Sequence, residues 1–203
     1  MLNLLFTSPL AFLLFAVGLV IAVTIHEFSH AFTADYLGDP TPRSQDRVSL
    51  NPLKHLDPLG SLMLLIIGFG WGKPVPFDPY NLKNPRRDAA IISLAGPASN
   101  IILAIIISVI ANFTLPSHLT PIIYPLIYIN IVLAIFNLVP IHPLDGQKIL
   151  TGLLPRHLSF EYDAVMHRFG TIILILMIIP FSGTSTVSRL ILPIIQSITS
   201  LLI

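Results

Sequence analysis

Five stretches of this chain are apolar over nearly the thickness of a bilayer, a feature that excludes most folds. They run roughly from Pro9 to Ala34, Ala89 to Ala111, Pro121 to Leu138, Phe160 to Phe181 and Val187 to Ile203. A helical crossing needs about 20 residues at about 1.5 Å each. A sixth apolar run, Leu59 to Phe69, is bracketed by Pro58, Gly60, Gly68 and Gly70. It covers only about 17 Å at that rise, too little to span, and reads as a re-entrant or half-inserted segment. Composition agrees: 54% of the 203 residues are hydrophobic and 10% charged, against about 25% charged in soluble domains. The fold class expected is an all-α polytopic membrane protein with about five transmembrane helices and one short re-entrant segment. Residues 1–203 read as a single integral-membrane domain, with no internal repeat or linker.

Charge and composition remove other classes. A formal net charge of +1 argues against a nucleic-acid partner. The absence of cysteine excludes disulfides, thiolate metal sites and cysteine nucleophiles. Met1 to Leu5 has no basic residue, so the N-terminus does not read as a cleaved signal peptide. With the N-terminus outside and the short run not crossing, Arg43, Arg47, Lys54, Lys73, Lys83, Arg86, Arg87, Lys148, Arg156 and Arg168 all fall on the cytoplasmic side. Arg189 alone falls outside, and Asn112 to Thr120 carries no Lys or Arg. That satisfies the positive-inside rule and predicts a multi-pass protein of the plasma membrane.

The first apolar stretch carries His26-Glu27-Phe28-Ser29-His30. Residues at i and i+4 share a helix face, so both imidazoles can bind one ion. Glu27 lies about 100° round the helix from His26, beside the metal, where it can hold a water. Zinc suits two nitrogens and a carboxylate with the fourth position left for water. Glu27 would then take the proton from that water and pass it to a leaving amine. On an exposed helix five residues are a modest signal; the alternative here is a polar helix end solvated by headgroups. His26, however, lies about 25 Å into a core of about 30 Å, and ionisable groups in such a place default to function.

A third ligand is required. Asp145, in Asn137-Leu138-Val139-Pro140-Ile141-His142-Pro143-Leu144-Asp145-Gly146, follows the third full span and returns to the side of the histidine pair. It also suits an N-cap for a helix from Gly146 to Leu154. His142 competes as a ligand, and chemistry alone leaves both open. Asn137 has two readings as well: an amide bonded to substrate backbone or a developing oxyanion, or a tie between helices.

A lipid-embedded HExxH helix followed by a distant N-x-x-P-x-x-P-L-D-G resembles the site-2 protease family of intramembrane metalloproteases. Further stretches agree: His55-Leu56-Asp57-Pro58-Leu59-Gly60, Gly70-Trp71-Gly72-Lys73-Pro74-Val75-Pro76, Asn84-Pro85-Arg86-Arg87-Asp88 and Ala95-Gly96-Pro97-Ala98-Ser99-Asn100. They are similar to the compact prokaryotic branch without PDZ or CBS domains, over about Ile21 to Gly152. The resemblance implies one zinc ion held by His26, His30 and Asp145, with Glu27 as the catalytic base and Asn137 at the substrate. It implies a membrane-spanning protein substrate cut within or near the bilayer, at a site toward the cytoplasmic side. His142 departs from the family, which often has proline there. The alternatives are a transporter or channel with an incidental metal, which would spread polar groups over several spans, and a silent family member, which would have lost a ligand or the base.

Other residues carry weaker readings. Gly96 and Asn100, four apart, suggest close helix packing. His55 and Asp57 suit outer partners of a ligand imidazole or a turn before Pro58. Pro74, Pro76 and Pro79 impose extended backbone, fitting either an entry strand or a headgroup-level loop. His118, His157 and His167 read as interfacial or loop histidines, and Met63, Met166 and Met177 as lipid or core contacts.

Overall fold

The computed structural model describes residues 2–67, 70–114, 116, 120–181 and 183–202. His118, part of the expected outer loop, Gly68 and Phe69 at the end of the short apolar run, and Ile203 lie outside the described residues.

The chain is mostly helical. A short α1, Leu2–Thr7, precedes α2, Pro9–Tyr36, which opens with proline in its first turn, where the missing N–H costs nothing. A one-turn α3, Thr41–Ser44, leads into a loop and then α4, Pro58–Ile67, whose start is capped by the Asp57 carboxylate accepting from Gly60 N at 2.7 Å. The longest helix, α5, is Pro85–Thr114; Asp88 in its first turn accepts from Asn84 N at 2.8 Å. Then come α6, Thr120–Asn137, α7, Asp145–Leu153, α8, Arg156–Ile178, and α9, Thr186–Leu202. Pro180 lies two residues beyond the end of α8, and β1, Pro180–Phe181, pairs with β2, Thr184–Ser185, in a small hairpin leading to α9.

Helices occupy all five of the stretches expected to cross. Two of them, α2 and α5, are long and apolar enough to do so by length and composition. The apolar parts of α6 and α9, Ile122–Asn137 and Thr186–Leu202, are shorter. The first half of α8 carries Glu161, Asp163 and Arg168, so its apolar part is brief. The short run is a ten-residue helix, α4.

Around α5 pack α2, α6 and α7, and α6 also meets α2 and α9. Ala104, Ile127, Ile131, Ile135 and Ile195 make the apolar seam of α5, α6 and α9. Ile141, Leu144, Leu174 and Val187 make a second, against which Met166 and Met177 pack. Between α2 and α5 the loop is fixed by polar contacts. Asp39, fully buried, accepts from Thr41 N and Oγ1, Asp78 N and Asn81 Nδ2 at 2.6–3.0 Å. The buried Arg47 donates to the carbonyls of Lys73 and of Pro74, the latter at 3.1 Å. Gly72 bridges antiparallel to Leu56, and residues 73–78 have no regular secondary structure.

Candidate metal centre

Histidines 26 and 30 stand one turn apart on α2 because four residues nearly complete a helical turn. Both are buried, at 4% and 7% exposed. Asp145 reaches them from the first residue of α7. It is not the N-cap foreseen for that helix: Leu144 occupies the cap, and the carboxylate turns toward the imidazoles. The two Nε2 atoms are 3.0 Å apart, and Asp145 Oδ2 is 3.1 Å from that of His26 and 3.2 Å from that of His30. Ligand atoms about 2.0–2.1 Å from zinc at tetrahedral angles stand about 3.3 Å apart, so this triangle is close to one face of such a site. Among the described residues no other three His, Cys, Asp or Glu side chains bring ligand atoms this close.

The outer edges of the rings settle which nitrogens face inward. His30 Nδ1 is 2.7 Å from the Ile92 carbonyl, which can only accept, so Nδ1 carries the hydrogen and Nε2 the lone pair. His26 Nδ1 is 2.7 Å from Asn100 Oδ1. Two nitrogen lone pairs and a carboxylate oxygen thus converge, a donor set that suits a cation and fits zinc.

Gly96 on α5 makes the space. A Cβ there would stand 2.4 Å from His30 Nε2 and 2.7 Å from His26 Cε1. Its close packing is against the imidazoles themselves. The outer partners suggested for the ligands, His55 and Asp57, are elsewhere: His55 Nε2 donates to Ser49 O at 2.6 Å and Asp57 caps α4. Their roles fall to Ile92 O and Asn100, on a helix whose residues gave no spacing signal toward α2. His142 is outside the group; its ring lies 4.7 Å from that of His167 on α8.

Beside the triad opens a cavity of about 540 Å³, lined by His26 and Glu27, by Leu64 and Leu65 of α4, by Trp71 and Gly72, and by Leu133, Phe136 and Asn137 of α6. Glu27 therefore lines the cavity, and His30 does not. Asn137 lines the same space, with Nδ2 donating to Leu133 O at 2.9 Å. Apolar walls with few polar groups at one end suit an apolar ligand whose one polar segment must be acted on.

Two helical histidines and a carboxylate, with a glutamate alongside, suit a metallopeptidase centre. The chain belongs to peptidase family M50, the site-2 protease family. That family's model matches residues 114–177, which include Asp145. The protein named "Putative zinc metalloprotease YwhC" of Bacillus subtilis is 35% identical over 179 residues, 82% of this chain and 81% of its own length. "Putative zinc metalloprotease Rip2" of Mycolicibacterium smegmatis is 34% identical over 179 residues, 83% of this chain and 67% of its own. "Zinc metalloprotease MJ0392" of Methanocaldococcus jannaschii is 25% identical over 159 residues, 78% of this chain and 38% of its own. No solved structure matches.

Proposed function

We propose that the chain is an intramembrane zinc metalloprotease that hydrolyses peptide bonds of membrane-spanning proteins. The observation that carries this reading is the triangle of His26 Nε2, His30 Nε2 and Asp145 Oδ2 set directly beside a cavity onto which Glu27 faces. One zinc ion per chain is held by His26, His30 and Asp145. When bound, zinc would lower the pKa of a water and polarise the scissile carbonyl. Glu27 accepts the proton of the attacking water at its carboxylate and returns it to the leaving amine. Asn137, on the opposite wall, donates to or accepts from the substrate backbone near the reacting carbonyl.

The lining of the cavity supports that substrate class. Apolar side chains of α2, α4 and α6 line the cavity, so a segment already at home in lipid enters without loss of hydration. Its helix must open first, because helical peptide bonds are covered by the next turn. The chain crosses the plasma membrane several times, with the N-terminus outside and the site toward the cytoplasm, a topology supported by the one-sided Lys and Arg distribution.

Elemental analysis of purified protein tests the metal assignment. One zinc per chain is expected for wild type and for His142→Ala, and loss of it for Asp145→Ala. Retention in Asp145→Ala with loss in His142→Ala would reverse the ligand set.

A further inference from the structure

Behind His26 lies a line of buried amides that the protease reading does not use. Asn100 on α5 is 0% exposed and Asn130 on α6 is 1% exposed. Asn130 Nδ2 donates to Leu126 O at 2.8 Å, a carbonyl that can only accept. Its Oδ1 therefore points the other way, where it receives Asn100 Nδ2 at 2.9 Å. The second hydrogen of Asn100 Nδ2 goes to Ala22 O on α2 at 3.0 Å. Both donors of Asn100 are then spent on acceptors, and its Oδ1 has only one role left, to accept from His26 Nδ1 at 2.7 Å. Every group in the line has its direction set by the group before it.

We propose that Asn100 and Asn130 are positioning residues of the metal centre, a relay from α6 through α5 that holds His26 with its hydrogen on Nδ1 and its lone pair on the ion. The proposal rests on the zinc reading above. An apolar helix pair could be joined more cheaply, since an amide in hydrocarbon costs free energy unless each of its groups is bonded. Asn100 is oriented by two acceptors, the Ala22 carbonyl and Asn130 Oδ1, so turning its amide round would set its own oxygen against both. Asn130 thus adds to what the Ala22 carbonyl does, and the backbone carbonyl of Leu126 in turn fixes Asn130. His30 needs no such device, since the Ile92 carbonyl has one polarity only.

The test is zinc affinity of full-length protein in detergent, measured by competition with a chromophoric chelator, alongside thermal unfolding of the metal-stripped protein. Asn100→Leu is expected to weaken zinc binding by about 10–100-fold, the range for loss of an outer partner of a ligand histidine. Asn100→Asp keeps an acceptor for His26 Nδ1 but sets its second oxygen against the Ala22 carbonyl and Asn130 Oδ1, so its affinity is expected to fall between wild type and Asn100→Leu. Asn130→Leu leaves the acceptor in place and removes one of the two groups that orient it, leaving one Asn100 hydrogen buried without a partner. It is expected to weaken zinc binding too, and it decides the matter should Asn100→Leu not fold. Affinity equal to wild type in Asn130→Leu or in Asn100→Leu would overturn the relay in favour of simple packing. Wild type that binds no zinc would instead overturn the metal reading itself.

Discussion

Position 96 has no room for a side chain because the metal-facing edges of two imidazoles fill the space. A methyl group there would stand 2.4 Å from His30 Nε2, well inside contact distance. Forcing one extra carbon into a packed site typically costs about 1–3 kcal/mol. Gly96→Ala is therefore expected to lose zinc affinity at least several-fold while the helices stay intact, as read by chelator competition and circular dichroism. Unchanged zinc affinity would show that the site opens more easily than its packing implies. The histidine pair was legible in the sequence because its geometry is local: four residues on one helix define it. Asp145 lies 119 positions from His26 and was legible only through topology and resemblance. Asn100, 74 positions away, gave no signal of its role. A mid-helix asparagine looks the same in sequence whether it ties two helices or orients a ligand. Only the contact tells them apart.

Among the elements, the helices were readable because each satisfies its own backbone in place, so an apolar run of sufficient length defines one without knowledge of its neighbours. The short α1 and the pairing of β1 with β2 were not, since neither has a periodic pattern to announce it. The loop between α2 and α5 is the element that depends most on polar contacts. It lines the cavity with Trp71 and Gly72, and Asp39 and Arg47 fasten it at two points. Burial works against the charge of Asp39, but hydrogen bonds from Thr41, Asn81 and Asp78 outweigh it and hold the carboxyl below its ordinary value. A depressed folded-state pKa contributes stability above the unfolded value, and that stability is lost as pH falls through the folded one. The loop is therefore expected to loosen at a pH below about 4. Asp39→Ala should loosen it at neutral pH. Hydrogen exchange of residues 70–84 would rise in the variant while α2 and α5 stay protected. Exchange unchanged from wild type would mean that the loop is held by its apolar contacts instead.

At the scale of the whole molecule, the metal centre exists only if α2 and α7 meet on one side of the membrane. The apolar α4 is ten residues long and, taken as not crossing, keeps that parity. A cysteine placed at Asn81 in this cysteine-free chain is expected to react with a membrane-impermeant thiol reagent only after the inner face is exposed. Labelling from the outer face alone would reverse the topology. The central proposal is that Glu27 drives peptide hydrolysis at a zinc ion held by His26, His30 and Asp145. Replacing it by glutamine removes no metal ligand and changes no volume, but takes away the proton acceptor. The decisive measurement is cleavage of a reporter membrane helix by purified, zinc-loaded wild type and Glu27→Gln protein, with zinc content measured on the same samples. The expected result is equal zinc and a loss of cleavage rate of about 10²–10⁴-fold or more in the variant. Glu27→Gln protein that cut the reporter as fast as wild type would contradict the account.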